Sequence, residues 1–216
     1  MKQGILKDWQ KKVIGILVAE PNFKNFYLSG GTALAVYYLN HRISDDLDFF
    51  SESAIESIAL HGLAKTIKEK LGAREMRFSK IYDRNLFFCS VGQEKVKIEF
   101  THYPFPQLKP PQVFEGLAVD SKYDIAVNKL ATILDRFDPK DFADLYFLLQ
   151  DFSLVELRDG LEKKFGLKAE PVFLGGELMK AKRITALPKM LKSLAINDLI
   201  DFFKDEAKKL APEIIK

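Results

Sequence analysis

The sequence predicts an α+β protein in which a mixed strand-and-helix N-terminal domain is followed by a C-terminal helical domain. Three observations carry this prediction. Between residues 26 and 103, short runs of strand character are interleaved with runs that have helical spacing. From Ser121 onward every apolar run has three- and four-residue spacing. The proline-rich stretch Pro104 to Pro111 separates the two patterns and resists regular structure, so the domains are expected at residues 1–111 and 112–216.

Composition agrees with an ordinary globular chain. With 47% hydrophobic and 29% charged residues in 216, it has enough apolar side chains for a core and shows no sign of disorder. Its 33 basic and 30 acidic residues nearly cancel, giving +3, so a nucleic-acid partner has to be met by a local patch and not by bulk charge. Cys89 is alone, inside the apolar run Leu86-Phe87-Phe88-Cys89, which excludes an internal disulfide and fits a reducing cytoplasm. Met1 to Val18 has scattered charges and no small-residue cleavage site, and no run of eighteen apolar residues occurs, so neither secretion nor a membrane span is expected.

In chain order, Ile5, Trp9, Val13, Ile14, Leu17 and Val18 form the stripe of a first helix that stops near Glu20-Pro21-Asn22. Phe26-Tyr27-Leu28 reads as a short strand that runs into Gly30-Gly31. Ala33 to Leu39 reads as a helix with Thr32 as its candidate cap. After a polar loop, Leu47 to Phe50 is a strand. Ser53-Ala54-Ile55-Glu56 then has the S-x-x-E form that opens a helix carrying Ile55, Ile58, Ala59, Leu63, Ile67 and Leu71, with Gly72 at its end. Met76 to Tyr82, Leu86 to Val91 and Val96 to Tyr103 are strands, the last two joined by a turn over Gly92 to Lys95.

The helical part follows from its caps. Ser121-Lys122-Tyr123-Asp124 starts a helix that reaches Arg136. Asp138-Pro139-Lys140-Asp141 starts the next, with an N-cap acid, proline at the first position and an acid at the third. Ser153-Leu154-Val155-Glu156 opens a third helix that Gly166 closes, and Val172 to Ala181 and Asp198 to Leu210 supply two more.

Two stretches carry chemistry. In Leu28-Ser29-Gly30-Gly31-Thr32-Ala33-Leu34, the glycines let backbone N–H groups approach an anion at the start of a helix, although a strand-to-helix turn also needs glycine for conformational reasons alone. In Asp46-Leu47-Asp48, a two-residue spacing on a strand points both carboxylates to one face, and such a pair suits Mg²⁺. In the third strand Val96, Ile98 and Phe100 share one face and Lys97, Glu99 and Thr101 the other. Alternation leaves Glu99 either as a site acid or as a solvent-side residue. His41, His61 and His102 show no zinc spacing.

In combination, these residues resemble a known family. Gly30-Gly31-Thr32-Ala33-Leu34 followed by His41-Arg42-x-Ser44-x-Asp46-Leu47-Asp48-Phe49 resembles the signature of the AbiEii/AbiGii toxin family of nucleotidyltransferases. That signature is a variant of the glycine-pair and Asp-x-Asp pattern of the DNA-polymerase-β-like superfamily. Lys129 with Asp141-Phe142-Ala143-Asp144-Leu145-Tyr146 resembles the family's lysine and Asp-x-x-Asp-Leu helical motif. The resemblance spans about Tyr27 to Leu149, and the last third of the chain matches no motif.

The resemblance implies a nucleotidyltransferase-fold domain over 1–111, with the helical domain 112–216 completing the nucleotide and acceptor cleft. It implies an enzyme that moves an NMP from an NTP to an acceptor hydroxyl and releases pyrophosphate. Gly30, Gly31, Thr32, Arg42 and Ser44 would bind the nucleotide. Asp46, Asp48 and Glu99 would hold Mg²⁺, as two ions, with Glu99 as the third acid from a later strand. Lys129 would reach the triphosphate, and Asp144 would orient Lys129 or meet a substrate-bound metal. Asp141 would join Lys129 among the nucleotide-binding residues, although it falls at the third position of a helix, where an acid also stabilises the helix end without a catalytic role. Arg42 is read either as a phosphate contact or as a tie to Asp45 or Asp46. The family implies a toxin of a toxin–antitoxin or phage-defence system, tRNA as acceptor and a cognate antitoxin. The alternatives are nucleotidylation of a small molecule or a protein, or a nucleotide- or RNA-binding module without turnover. Lys163-Lys164, Lys180 to Arg183 and Lys189 to Lys192 are either an acceptor surface or solvated helix faces.

Overall fold

Strands drawn from four separated stretches of the chain assemble into one mixed sheet in the order β3-β4-β5-β2-β1-β7-β6. The computed structural model describes residues 5–54 and 56–214. The strands are β1 (Tyr27–Ser29), β2 (Leu47–Ser51), β3 (Met76–Ile81), β4 (Arg84–Val91), β5 (Glu94–His102), β6 (Gln112–Phe114) and β7 (Leu117–Val119). β2 runs parallel to β5 and antiparallel to β1, while β3-β4-β5 is an antiparallel meander. Val96, Ile98 and Phe100 are buried as the alternation predicts, and Phe49 stacks on Phe100 with ring centroids 5.3 Å apart. Packing on this face of the sheet sets the register, which in turn fixes what the other face presents.

The chain divides into two compact units. The first comprises Met1–Tyr37, Ser44–Pro106 and Pro110–Asp120, and the second Tyr38–Ile43, Gln107–Lys109 and Ser121–Lys216. Residues 110–120 lie with the first unit because β6 and β7 pair with each other and β7 joins β1 in the sheet. Asp124 explains why Gln107–Lys109 belongs with the second unit. Its buried carboxylate accepts from Leu108 N and Lys109 N (both 2.9 Å), from Ser121 Oγ (2.7 Å) and from Lys164 Nζ (2.8 Å).

The first unit carries α1 (Asp8–Ala19), α2 (Gly30–Ala33) and α3 (Ser57–Leu71), and a π-helical stretch over Leu34–Leu39 continues α2 into the segment that begins the second unit at Tyr38. Three expectations change here. Helix α2 starts at Gly30 with Ser29 as its extended N-cap, so Thr32 lies inside the helix and its hydroxyl donates to the backbone oxygen of Asp46. Helix α3 starts at Ser57 with Glu56 as its cap. The S-x-x-E pattern at Ser53 is spent on a turn, where Ser53 N donates to Ser51 Oγ at 3.1 Å. Ile58 is exposed, and Ile55, expected on the same stripe, lies outside the described residues. The β4-β5 turn is tighter than expected, because pairing continues to Val91 and Glu94.

The second unit is helical: α4 (Lys122–Asp135), α5 (Pro139–Leu148), α6 (Leu154–Phe165), α7 (Pro171–Met179), α8 (Ile196–Lys209) and α9 (Ala211–Ile214). The cap signals hold where both partners are local. Ser121 and Asp138 accept from Asp124 N and Lys140 N, and Ser153 and Glu156 form the reciprocal capping box. Gly72 and Gly166 end α3 and α6 in the left-handed conformation, as expected. Among the described residues no helix is long and apolar enough to cross a membrane.

Candidate active site

The site in the first unit is built by register. Pairing of Asp48 with Glu99 across the parallel β2-β5 ladder, and of Ser29 with Asp48 across β1-β2, brings the turn at Gly30 and two acids from different strands together. Asp46 precedes β2 by one residue and faces the same way as Asp48. Gly30 has φ +69°, and a Cβ built there would lie 3.0 Å from Asp48 Oδ2, so glycine is required both by the backbone and by the approach of the carboxylate. The loop before the acids is held by α1, whose buried Gln10 donates through Nε2 to Ser44 O (3.1 Å) and Asp45 O (3.2 Å).

At the centre of the three acids sits Lys97, which the sequence placed on the right face but did not identify as a site residue. Its Nζ lies 3.3 Å from Asp46 Oδ2, 3.4 Å from Asp48 Oδ1 and 3.3 Å from Glu99 Oε2. Glu99 is further engaged by the Arg84 guanidinium as a fork, with Nε to Oε1 at 2.6 Å and Nη2 to Oε2 at 2.8 Å, and by Thr101 Oγ1 at 2.8 Å.

Burial pushes the Asp48 carboxyl above its ordinary range, with Glu99 and Asp46 adding to the push and Lys97 opposing it. Burial acts on Glu99 in the same direction, but the Arg84 hydrogen bonds and the Lys97 charge outweigh it and hold its carboxyl below the usual range. Burial lowers Lys97, yet the three carboxylates raise its ammonium on balance.

These residues fit a divalent cation. Asp46 and Asp48 offer hard oxygen donors around a point that already stabilises a positive charge, and Mg²⁺ takes one or two carboxylates together with substrate phosphates. Among the described residues no three His, Cys, Asp or Glu side chains are grouped so as to hold a metal ion, and the Glu99 oxygens are engaged by Arg84 and Thr101.

The helical unit holds a second ionic cluster. Lys129 on α4 donates to Asp141 Oδ1 and Asp144 Oδ2 on α5, both at 2.7 Å. Asp144 is fully buried and also receives Arg42 Nε at 2.6 Å, Arg42 Nη2 at 2.8 Å and His41 Nε2 at 2.7 Å. Arg136 forks onto Asp141 Oδ2 at 3.0 and 3.1 Å. Arg42 therefore does not tie to Asp45 or Asp46: its fork closes on Asp144, and Nη1 donates to Ile43 O at 3.0 Å. The cations around Asp144 overcome its burial and hold its carboxyl far below the usual range. His41 is pushed down by burial despite its bond to Asp144, and its Nδ1 finds no partner among the described residues.

The last third of the chain also has a place. His41 O accepts from Leu191 N at 2.7 Å and Lys192 N at 3.1 Å, while Ile43 N donates to Lys189 O at 2.9 Å, so the backbone of 189–192 clamps the His41-Arg42 segment. Backbone pairing of this kind leaves no sequence signature. Of the residues expected at the site, Gly30, Thr32, Asp46, Asp48 and Glu99 come together in the first unit. His41, Arg42, Lys129, Asp141 and Asp144 do so in the second. Gly31 opens α2 beside Gly30, and Ser44 contributes its backbone oxygen to Gln10.

Comparison with known proteins bears on this geometry. Residues 14–213 match the family model described as nucleotidyl transferase AbiEii toxin, type IV toxin–antitoxin system. An uncharacterised protein of Aquifex aeolicus, aq_aa25, is 33% identical over 166 residues, covering 74% of this chain and 76% of its own length. Among solved structures, JHP933 of Helicobacter pylori superposes with a TM-score of 0.59 at 20% identity over 97% of this chain and 94% of its own. MenT4, a nucleotidyltransferase toxin of Mycobacterium tuberculosis H37Rv, does so with a TM-score of 0.55 at 15% identity, over 94% and 81% of the two chains. At those identities the structural likenesses establish the fold.

Proposed function

The chain belongs to the AbiEii nucleotidyltransferase toxin family and is a nucleotidyltransferase, and from that premise we propose that it transfers an NMP from an NTP to a tRNA hydroxyl with Mg²⁺ held by Asp46 and Asp48. The observation that carries this reading is the convergence of Asp46, Asp48 and Glu99 on one positive charge beside the close-packed Gly30 turn. In the reaction the acceptor hydroxyl gives up its proton to solvent as its oxygen bonds to the α-phosphorus, the bond from that phosphorus to the α–β bridging oxygen breaks, and pyrophosphate leaves. Bound Mg²⁺ supplies Lewis-acid stabilisation of the phosphoryl charge.

The protein's own groups divide the remaining work. Backbone N–H groups at Gly30, Gly31 and Thr32 receive phosphate oxygens at the opening of α2. Glu99, kept ionised by Arg84 and Lys97, supplies the third negative charge of the site. Lys129 uses two of its three N–H groups on Asp141 and Asp144 within the helical unit. Asp144 is thus a positioning residue for Lys129. An antitoxin partner and a cytoplasmic setting, where NTPs and tRNA occur, complete the reading.

The test is incubation of the purified protein with each α-labelled NTP and total tRNA. Label should pass to tRNA from one preferred nucleotide, with pyrophosphate released, and EDTA should stop it. Label appearing instead on a small molecule or on protein would replace tRNA as the acceptor. Nucleotide binding without pyrophosphate release would replace the transferase reading with a binding one.

A further inference from the structure

Two lysines meet paired carboxylates in this protein, and their geometries differ. Lys129 makes directed bonds of 2.7 Å to each of two oxygens, the length of a strong charge-assisted hydrogen bond. Lys97 stands at 3.3, 3.4 and 3.3 Å from three carboxylates, longer than such bonds and nearly equidistant. Its ammonium behaves as a shared point charge, held by the sum of three fields and by no single partner. Its side chain keeps about a quarter of its surface exposed, and a four-carbon stem can carry the ammonium elsewhere.

The position matters because a divalent cation on Asp46 and Asp48 would repel an ammonium held within 3.4 Å of the same two carboxylates. Mg²⁺ binds carboxylate oxygens at about 2.0–2.1 Å, well inside the shell that Lys97 now occupies around Asp46 and Asp48. Glu99 differs from those two acids. With Arg84 forked onto both its oxygens and Thr101 on one, it is fixed in place as an ionised acid, beside which Lys97 can stay when the other two acids are taken.

We propose that Lys97 is an exchangeable internal counter-ion of the Asp46-Asp48 pair, displaced when a divalent cation enters and therefore setting how weakly the nucleotide-free protein holds that cation. On this inference, which rests on the Mg²⁺-binding role given above to Asp46 and Asp48, metal without nucleotide competes against a resident ammonium. Metal arriving with a triphosphate brings extra ligands and wins. Lys97 is then a positioning residue that couples metal occupancy to nucleotide occupancy.

The experiment is a Mn²⁺ titration followed by electron paramagnetic resonance, without and with a non-hydrolysable NTP analogue, on the wild type, Lys97→Met, Lys97→Gln and Asp46→Asn. Removing the competing charge should tighten nucleotide-free Mn²⁺ binding by about tenfold or more in both Lys97 variants. The effect of the analogue on Mn²⁺ affinity should shrink accordingly, and Asp46→Asn should lose binding. Lys97→Gln keeps an amide able to hydrogen-bond the acids, so it stands in if Lys97→Met fails to fold. Equal or weaker nucleotide-free Mn²⁺ binding in a folded Lys97 variant, with binding still lost in Asp46→Asn, would overturn the role of Lys97 and leave the metal reading standing. Mn²⁺ binding that Asp46→Asn leaves untouched, or no binding even with the analogue, would overturn both.

Discussion

The two ionic clusters use the same residue types to opposite ends. Around Asp144 four side-chain donors close at 2.6–2.8 Å in a site without solvent exposure, and the carboxyl is held far down in its ionised form. Around Asp48 the nearest cation stands back at 3.4 Å, the side chain is partly exposed, and burial pushes the carboxyl up. The first arrangement is finished and holds α4, α5 and the His41-Arg42 segment in place. The second is left under-compensated, which is what a site must be if it is to gain stability from a ligand's charge.

That contrast can be broken first at Asp144. Replacing it with Asn leaves Arg42 buried without its acid and Lys129 with Asp141 alone, and should cost about 3–5 kcal/mol, read by denaturant unfolding. A variant as stable as the wild type would mean that the cluster does not hold the helices. The next effect is at Gly30. Gly30→Ala forces a side chain into φ +69° and to 3.0 Å from Asp48 Oδ2, and should cost about 1–3 kcal/mol. Its transfer activity should fall even at temperatures where the variant remains folded; full activity would show that Asp48 tolerates displacement.

A smaller effect is expected at His41. Burial lowers its pKa below the ordinary value of about 6.5, so the unfolded chain takes up the proton first as pH falls. The stability it contributes is present above about pH 6.5 and is lost as pH drops from there towards the folded value, at no more than about 1.4 kcal/mol per pH unit. Protonation would place an N–H on Nδ1, where no partner waits among the described residues. His41→Gln should flatten the melting-temperature profile between about pH 7.5 and 5.5, and an unchanged slope would assign the acid sensitivity to other groups.

How far the sequence revealed these clusters depended on the distance between partners along the chain. Ser153 and Glu156, or Asp138 and Lys140, are close enough that the pattern is the interaction, and those helix starts were legible. The same S-x-x-E pattern at Ser53 misled, because Ser51 offered the Ser53 N–H a nearer partner. Asp46 and Asp48 were visible as a same-face pair, but that Lys97 fills the space between them and Glu99 depends on a parallel ladder joining strands some fifty residues apart. For Arg42 the sequence offered a phosphate or the nearby Asp45 and Asp46, and its pairing with Asp144 was not legible because that acid lies 102 residues away. Strands β6 and β7, three residues each, carry too few alternations to be read, so their place in the sheet was not legible.

The most direct test of the difference between the clusters is Asp48→Asn, followed for both stability and nucleotidyl transfer in one preparation. Because burial already disfavours the Asp48 charge, its neutral isostere should melt at or above the wild-type temperature while transfer falls by about a hundredfold or more. A variant that keeps transfer near the wild-type rate would contradict the assignment of chemistry to this acid. One that unfolds as Asp144→Asn does would contradict the distinction between a site held open for a ligand and a site already closed.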